Sequence, residues 1–249
     1  MNFFNDLANP VRFERYARIA FPAALGLALL TGAAGLYYAL FNSPADYQQG
    51  HSVRIMYVHV PAAWMSMFCY SVMAGASATG FIWKHPLADV AAKQTAPLGA
   101  GFTVLALITG SLWGKPMWGA WWAWDARLTS VLVLLFLYLG YMALWRAIPD
   151  KTRAARLAAI LAIVGFVNVP VIKFSVEWWN SLHQPASIIR EGGPTIDGAM
   201  LTPLLLMIVA YMSGFVAMLL QSIKNEMTAR RLARLQLVDE SRAAELVEQ

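Results

Sequence analysis

Residues 56–83 read MYVHVPAAWMSMFCYSVMAGASATGFIW, a stretch of 28 residues that contains no Asp, Glu, Lys or Arg. A helix that crosses a bilayer needs about 17–25 predominantly apolar residues, and a strand in a globular protein is far shorter. The stretch therefore predicts a transmembrane helix. The number of such runs in the chain predicts the number of transmembrane helices.

Five further runs without acidic or basic residues flank this stretch on both sides. They cover residues 19–41, 94–114, 128–145, 157–172 and 199–223. The run 157–172 is short for a span, but Arg156 and Lys173 at its ends can extend their charged groups toward the membrane interfaces. The sequence therefore predicts an all-α polytopic membrane protein with six transmembrane helices.

The composition of the whole chain supports this class. Of the 249 residues, 59% are apolar and only 13% are charged, whereas soluble domains carry about 25% charged residues. These values exclude disorder, a coiled coil and a soluble nucleic-acid-binding protein, so the net charge of +5 points to basic cytoplasmic loops. A single cysteine, Cys69, excludes an internal disulfide, a CxxC redox pair and a thiolate metal cluster.

The basic residues also predict the orientation of the chain. Fourteen of the 19 Lys and Arg residues lie in the N-terminal arm, the second and fourth connections and the C-terminal tail. Because basic residues accumulate in cytoplasmic segments, we expect both termini in the cytoplasm and the connections 42–55, 114–127 and 173–198 outside. We also expect one six-helix membrane domain, residues 1–223, followed by a cytoplasmic tail, residues 224–249.

The outer connection between spans 3 and 4 is rich in tryptophan. Five of the ten tryptophans fall within twelve residues, namely Trp113, Trp118, Trp121, Trp122 and Trp124. Tryptophan belts are common at membrane interfaces, and one interpretation is such a belt. The other is a platform for a large planar aromatic ligand, where Gly119 permits close backbone approach and the rings supply stacking.

Histidines on the outer side are candidate metal ligands. His59 opens the second span in Tyr57-Val-His-Val-Pro61, where a first-turn proline is tolerated, and His183 lies before the last span. Neutral imidazole is a common metal ligand and an axial ligand of haem iron. His51 lies in the same outer connection and stays an alternative on spacing, whereas His85 lies in a cytoplasmic turn.

Several motifs together resemble the CcmC family of haem-handling proteins from the bacterial cytochrome c maturation pathway. The tryptophan-rich W-G-x-x-W-x-W-D signature, which a wider haem-handling superfamily shares, falls on Trp118, Gly119, Trp122, Trp124 and Asp125. The resemblance covers nearly the whole chain except the N-terminal arm and the C-terminal tail. Its other matching segments are residues 44–50, 59–63, 113–119, 121–129, 175–180 and 182–184.

The resemblance implies a haem site on the periplasmic face of a bacterial inner membrane. His59 and His183 correspond to the two axial ligands of haem iron, and residues 113–125 correspond to the haem platform. The implied cargo is haem b, held without a covalent bond. The implied partners are a membrane-anchored haem chaperone, a two-subunit ABC-type ATPase complex and a small accessory membrane protein, with no nucleic acid.

Cationic side chains near this face are candidate partners for the two haem propionates. Arg54 and Arg127 are the first choices because guanidinium binds carboxylate through two parallel bonds, and Lys115 and Arg190 lie in outer connections as well. Both arginines also suit a plain anchoring role at lipid headgroups. Asp125 is placed either to orient Arg127 or to face a partner protein.

The sequence is compatible with three functions: haem presentation and transfer, the haem-translocating permease half of an ABC transporter, and a structural scaffold. A hydrophilic pore requires charged groups at mid-membrane depth, and the centres of all six runs lack them. The scaffold leaves the tryptophan-rich connection and the two histidines without a role. We therefore expect a haem-transfer factor without hydrolytic or redox activity of its own; whether it promotes covalent attachment of haem to the chaperone stays open.

Overall fold

The computed structural model describes residues 9–179, 181–183, 191–193 and 195–247 of the chain, and every regular element in these ranges is a helix. These ranges contain seven α-helices, a π-helix at Tyr38–Asn42 that continues the first of them, and a 3-10 helix at His51–Ile55 that leads directly into the second. The helices are α1 (Pro10–Tyr37), α2 (Met56–Trp83), α3 (Pro86–Trp118), α4 (Ala126–Ala147), α5 (Lys151–Gly165), α6 (Asn168–Trp178) and α7 (Gly198–Val247).

The predicted six spans are confirmed by length and apolarity. The helical segments that qualify are Val11–Asn42, His51–Trp83, Leu87–Trp118, Ala126–Ala147, Lys151–Trp178 and Gly198–Asp239. Each contains one of the six charge-free runs, and α5 and α6 together make the fifth span. The chain is therefore an all-α protein of the polytopic membrane class.

Local sequence explains where the helices begin and end. The side chains of Asn9, Asp125 and Asp150 accept backbone N–H bonds at the first turns of α1, α4 and α5, which is the preferred capping chemistry at helix starts. The helix α3 ends at Gly119, whose φ of 75° is accessible to glycine without steric cost. Asp125 and Gly119 thereby fix both ends of the tryptophan-rich connection between α3 and α4.

The interior of the bundle is built around tyrosines from α2 and α4. The rings of Tyr70 and Tyr138 meet edge to face at 5.1 Å, and the Tyr138 hydroxyl donates to the Ser66 carbonyl at 2.8 Å. Gly99 on α3 makes room for the Tyr138 ring, because a Cβ there would collide with it. Within a membrane, such small residues let helices approach closely and gain packing contacts.

A second buried cluster lies at the end of the bundle that carries the tryptophan-rich segment, which is called the outer end after the orientation that the basic residues predict. Its buried members are Ala39, Val53, Met56, Tyr57, Met200, Leu204 and Met207, from the end of the first span and the starts of α2 and α7. Trp113 of α3 packs against this cluster. The first tryptophan of the segment is therefore anchored on a packed cluster at this end of the bundle.

Two boundaries at this outer end differ from the sequence prediction. Trp113 and Trp118 lie in the last turns of α3, so the non-helical connection is residues 119–125 and not 114–127. The expectation that Pro61 occupies a first turn is also wrong, because α2 begins at Met56 and Pro61 is its sixth residue. His59 therefore sits within the helix, and not at its first residue.

The fifth span is longer than its charge-free run and is interrupted. It extends from Lys151 to Trp178, with a break at residues 166–167 between α5 and α6. Pro170 explains the break, since proline lacks an N–H and its ring clashes with the carbonyl four residues earlier, here that of Phe166. The outer connection therefore begins after Trp178.

The last helix continues far beyond its apolar run. α7 extends for 50 residues without interruption, so residues 224–247 prolong the last span as a helix. The Glu226 carboxylate accepts a hydrogen bond from Lys93 of α3 at 2.8 Å. It accepts another from Arg230, one turn later on α7, at 3.0 Å. Residues 224–247, predicted as a tail, thus continue the last helix, and the Lys93–Glu226 ion pair connects them to α3.

Candidate haem site

His59 lies on α2 and contacts α3 through one ring nitrogen. Its Nδ1 is 3.1 Å from the Ala106 carbonyl oxygen and 3.1 Å from the Thr109 hydroxyl oxygen. A carbonyl oxygen only accepts, and the Thr109 hydroxyl donates to the Leu105 carbonyl at 2.7 Å. Nδ1 of His59 therefore carries the proton, which leaves the lone pair on Nε2 for a ligand.

Two neighbours on α3 fix the orientation of the His59 ring. Gly110 lies directly against it, because a Cβ at this position would stand 2.9 Å from Cε1 of His59. Trp113 meets the same ring edge to face, with the ring centroids 5.7 Å apart. The Trp113 indole in turn donates to the Gln49 side-chain oxygen at 2.9 Å, so the ring is held from two sides.

His183 is held by the residue that begins α4. Its Nδ1 lies 3.0 Å from Oδ2 of Asp125, and the Ser181 hydroxyl donates to the same oxygen at 2.7 Å. The other Asp125 oxygen accepts the Leu128 N–H at 2.7 Å as the N-cap of α4. A histidine that binds a metal through one ring nitrogen commonly donates its other N–H to a carboxylate. The contact between Asp125 and His183 has this arrangement.

The protonation states of this pair follow from its surroundings. Burial raises the pKa of Asp125, but hydrogen bonds from the Leu128 N–H, Ser181 and His183 outweigh burial and hold that pKa below its ordinary value. Burial lowers the pKa of His183, and the Asp125 hydrogen bond and charge oppose this without reversing it. Near neutral pH the carboxylate is ionised, the imidazole is neutral, and Nε2 of His183 keeps its lone pair.

Trp118 connects the end of α3 to His183. The indole and imidazole rings meet edge to face with centroids 5.1 Å apart. Gly114, one turn earlier, lies beneath the indole, where a Cβ would be 2.9 Å from Cε3 of Trp118. The chain then turns at Gly119, whose carbonyl accepts from the Lys115 ammonium at 3.1 Å.

The remaining tryptophans of the segment do not lie side by side in one plane. Trp122 and Trp124 meet edge to face at 76°, and Trp121 has the Lys115 ammonium 5.8 Å from its ring centroid. Trp121 and Trp124 are exposed, at 57% and 78% of their surface. The indole N–H of Trp122 is buried and finds no acceptor among the residues that the structure describes.

The two candidate propionate partners differ in their bonding. Arg127 donates from Nε to the Ser175 hydroxyl at 3.2 Å and from Nη2 to the Lys173 carbonyl at 3.4 Å, which connects α4 to α6. Arg54 makes one long bond, 3.4 Å from Nη2 to the Ser43 carbonyl. Its Nε is buried without a hydrogen-bond partner in the described part of the chain.

The two imidazoles belong to one electrostatic environment. His183 and Arg127 lie near enough to His59 for their charges to act on it, and the Arg127 charge likewise acts on His183 and is opposed by that of Asp125. His51 is exposed in the 3-10 helix, and His85 lies at the opposite end of α2 and α3. The structure thus brings His59 and His183 together with Trp113, Trp118, Asp125 and Arg127, while Arg190 lies outside the described residues.

Sequence reasoning missed the residues that orient the two histidines. They are Thr109 and Gly110 beneath His59, and Ser181 beside His183. One signal was available: Thr109 precedes Trp113 by four residues, and side chains at this spacing share a helix face. The role of Asp125 as the partner of His183 was also missed, because the sequence places it next to Arg127.

Several known proteins that are similar to this chain carry the name of one family. The model of the CcmC family, described as heme exporter protein C, matches residues 3–238. A heme exporter protein C from Bradyrhizobium diazoefficiens is 54% identical over 239 residues, which cover 96% of this chain and 90% of the relative. The protein of that name from Escherichia coli K12 is 45% identical over 221 residues, 89% of each chain.

A relative from a mitochondrion widens the range of similar proteins. This relative is the cytochrome c biosynthesis ccmC-like mitochondrial protein of Marchantia polymorpha. It is 46% identical to this chain over 197 residues. The alignment covers 79% of this chain and 82% of the relative.

Proposed function

Because this chain belongs to the heme exporter protein C family, we propose that it binds haem at the outer face of the bacterial inner membrane and delivers it to a membrane-anchored haem chaperone. The family and its named relatives assign the chain to haem handling in cytochrome c maturation. The chain is a multi-pass membrane protein. Its family name implies further Ccm components, for which we propose a two-subunit ABC-type ATPase and a small accessory membrane protein as partners.

The observation that carries this proposal is the pair of imidazoles with Nε2 unprotonated. His59 donates its Nδ1 proton to α3, and His183 donates its own to Asp125. Two such nitrogens suit both axial positions of one haem b iron. With both positions filled, the iron has no open site for substrate or oxygen, which fits a protein that carries haem and does not use it.

The charged groups support the same cargo. Haem b has two propionate carboxylates, which need cationic partners at the edge of a membrane. Arg54 suits one of them because its buried Nε is available among the described residues. Arg127 contributes its charge close to both histidines, in addition to its bonds to α6.

Tryptophans beside the histidines supply contacts for the porphyrin. Trp113 and Trp118 pack against the two imidazoles, and Trp122 offers a buried indole N–H. Indole rings combine a large apolar surface with one polar group, which suits a macrocycle with apolar faces and acidic substituents. Gly119 and Asp125 complete the segment by turning the chain and holding His183.

Oriented proteoliposomes test the proposal against the permease alternative. The purified chain is reconstituted with its outer face outward, the apo-chaperone is added outside, and haem is supplied either outside or inside. We expect haem supplied outside to reach the chaperone, whose labelling is detected by its haem absorbance after it is separated from the vesicles. His59→Ala and His183→Ala should abolish this labelling and His85→Ala should not. Labelling that requires haem inside the vesicle would contradict presentation and favour translocation.

A further inference from the structure

A groove of about 300 Å³ lies between α1 and α7, at the opposite end of the bundle from the haem site. Its lining is Glu14, Ala17, Arg18, Phe21, Pro22, Leu220, Gln221 and Lys224. This volume is at the lower end of the range of about 300–1,000 Å³ for ligand sites. It is large enough for a polar headgroup together with the first carbon atoms of attached chains.

The two cations of the groove lie at the same depth in the membrane. Arg18 is the last charged residue before the apolar run of α1, and Lys224 is the first after the apolar run of α7. Because α1 and α7 are antiparallel spans in contact, both cations stand at the same membrane interface. Both are exposed, and neither side chain has a hydrogen bond or ion pair within the ranges that the structure describes.

The groove changes from polar to apolar along its length. Toward the helix ends it is lined by Glu14, Arg18 and Lys224, and toward the membrane interior by Phe21, Pro22 and Leu220. A phospholipid at the bilayer interface has the same polarity gradient, from a charged phosphodiester to acyl chains. Two cations and one carboxylate give the groove a formal charge of +1, which matches a headgroup with a single negative charge.

The packing of α1 explains why a lipid has access to this groove. In the outer half of the two helices, Gly35 lies so close to α7 that a Cβ would stand 2.9 Å from the Met207 sulfur. At the inner end, Phe13 and Ala17 join a buried cluster with Ile223. The groove adjoins the inner contact, with which it shares Ala17, and it lies on a helix in whose membrane-spanning window only 6% of the residues are buried.

We propose that this groove binds one acidic phospholipid, with its phosphodiester between Arg18 and Lys224 and its acyl chains along Phe21 and Leu220. Basic pockets between transmembrane helices on the cytoplasmic side suit such headgroups. The bound lipid fills the gap between α1 and α7 and thereby stabilises the most peripheral helix of the bundle. The proposal is independent of the haem site.

Native mass spectrometry of the delipidated full-length chain tests this site. The protein is titrated with phosphatidylglycerol, phosphatidylethanolamine or phosphatidylcholine of identical acyl chains. We expect one phosphatidylglycerol to bind in preference to either zwitterionic lipid. The double variant Arg18→Gln/Lys224→Gln should bind it about tenfold more weakly, since each interfacial cation contributes to the attraction of acidic lipids.

A matched control removes two cations of α7 that lie outside the groove. Arg231→Gln/Arg234→Gln should bind phosphatidylglycerol like the wild type, since both side chains are exposed and line no part of the groove. Gln221→Trp, which fills the groove without changing its charge, should weaken binding as the double variant does. Inorganic phosphate should not raise the melting temperature, because it lacks acyl chains.

Four results would overturn the proposal. Phosphatidylethanolamine bound as tightly as phosphatidylglycerol would contradict acidic selectivity, and equal loss in both double variants would show only general surface charge. Unchanged binding to Gln221→Trp would place the lipid elsewhere. A melting temperature raised by inorganic phosphate would identify a phosphate site and not a lipid site.

Discussion

Asp125 combines two tasks through its two carboxylate oxygens. Oδ1 caps α4 by accepting the Leu128 N–H, and Oδ2 accepts from His183 and Ser181. The first task contributes to folding and the second to the tautomer of a candidate iron ligand. A substitution that preserves the cap while changing the second contact separates the two.

Asp125→Asn is such a substitution, because Asn caps helices about as well as Asp. The amide can present a donor to Nδ1 of His183 and thereby move the imidazole proton to Nε2. We expect haem affinity to fall about 10- to 100-fold, the usual cost of losing a partner of a metal ligand, measured by titration of the purified protein with haem.

Asp197→Asn is the matched control for this change. Asp197 also caps an outer-side helix start, accepting the Ala199 N–H at 2.7 Å, and it does not bond to either histidine in the structure as described. Its haem affinity should equal that of the wild type. Equal losses in both variants would assign the effect to capping and contradict the role of Asp125 toward His183.

Gly110 provides an independent test at the other histidine. In Gly110→Ala the new methyl group would stand 2.9 Å from Cε1 of His59, so the ring must shift away from its acceptors on α3. We expect weaker haem binding and a smaller low-spin fraction in the absorption spectrum. Gly101→Ala on the same helix has nothing within 4 Å of its Cβ and should bind haem normally; a loss in both variants would contradict the steric explanation.

The sequence predicted which histidines to consider but not what holds them. His59 and His183 were predicted from their place on the outer side of predicted spans. Their partners lie far away in sequence, with Ala106 47 positions from His59 and Asp125 58 positions from His183. Such pairings depend on how α2, α3 and α4 pack, which no local pattern in one sequence encodes.

At the scale of elements, the contact between α1 and α7 depends on glycine. A Cβ at Gly35 would stand 2.9 Å from the Met207 sulfur and 3.3 Å from the Leu206 Cβ. Gly35→Leu should therefore separate the two helices and lower the free energy of unfolding by about 1–3 kcal/mol, the usual cost of overpacking. Thermal melting of the purified protein measures the change.

Gly26→Leu is the control, since Gly26 of α1 has no atom within 4 Å of its Cβ position. Its melting temperature should match or exceed that of the wild type, because leucine favours helices more than glycine does. If the two variants lose stability equally, the close contact at Gly35 does not explain the effect.

The same scale shows why helix number was predictable and helix bounds were not. Charge-free length revealed all six spans, since every span must keep charged groups from hydrocarbon. Charge-free length underestimated the length of the fifth span, because Lys173 lies inside the helical segment that ends at Trp178. Pro170 carried the signal for the break at residues 166–167, but a proline within an apolar run kinks some helices and interrupts others.

For the whole molecule, a periplasmic haem site requires both histidines on the outer side of the membrane. The basic residues predict this orientation, with 14 of 19 Lys and Arg on the side of the termini. Compartment-specific reporter enzymes test this orientation. A reporter fused at either terminus should show cytoplasmic activity, and one inserted near Gly119 or Gly192 should show periplasmic activity. A cytoplasmic signal near Gly119 would contradict a periplasmic haem site.

Ligation of haem iron by His59 and His183 is tested by the spectrum of ferric haem bound to the purified protein. With Nε2 of His59 and of His183 on the iron, electronic absorption and electron paramagnetic resonance should report six-coordinate low-spin iron. His183→Ala should give five-coordinate or weakly held haem, and added imidazole should restore part of the low-spin signal. His51→Ala and His85→Ala should leave the spectrum unchanged. An unaltered low-spin spectrum in the His59→Ala/His183→Ala double variant would contradict the account and make His51 the next candidate ligand.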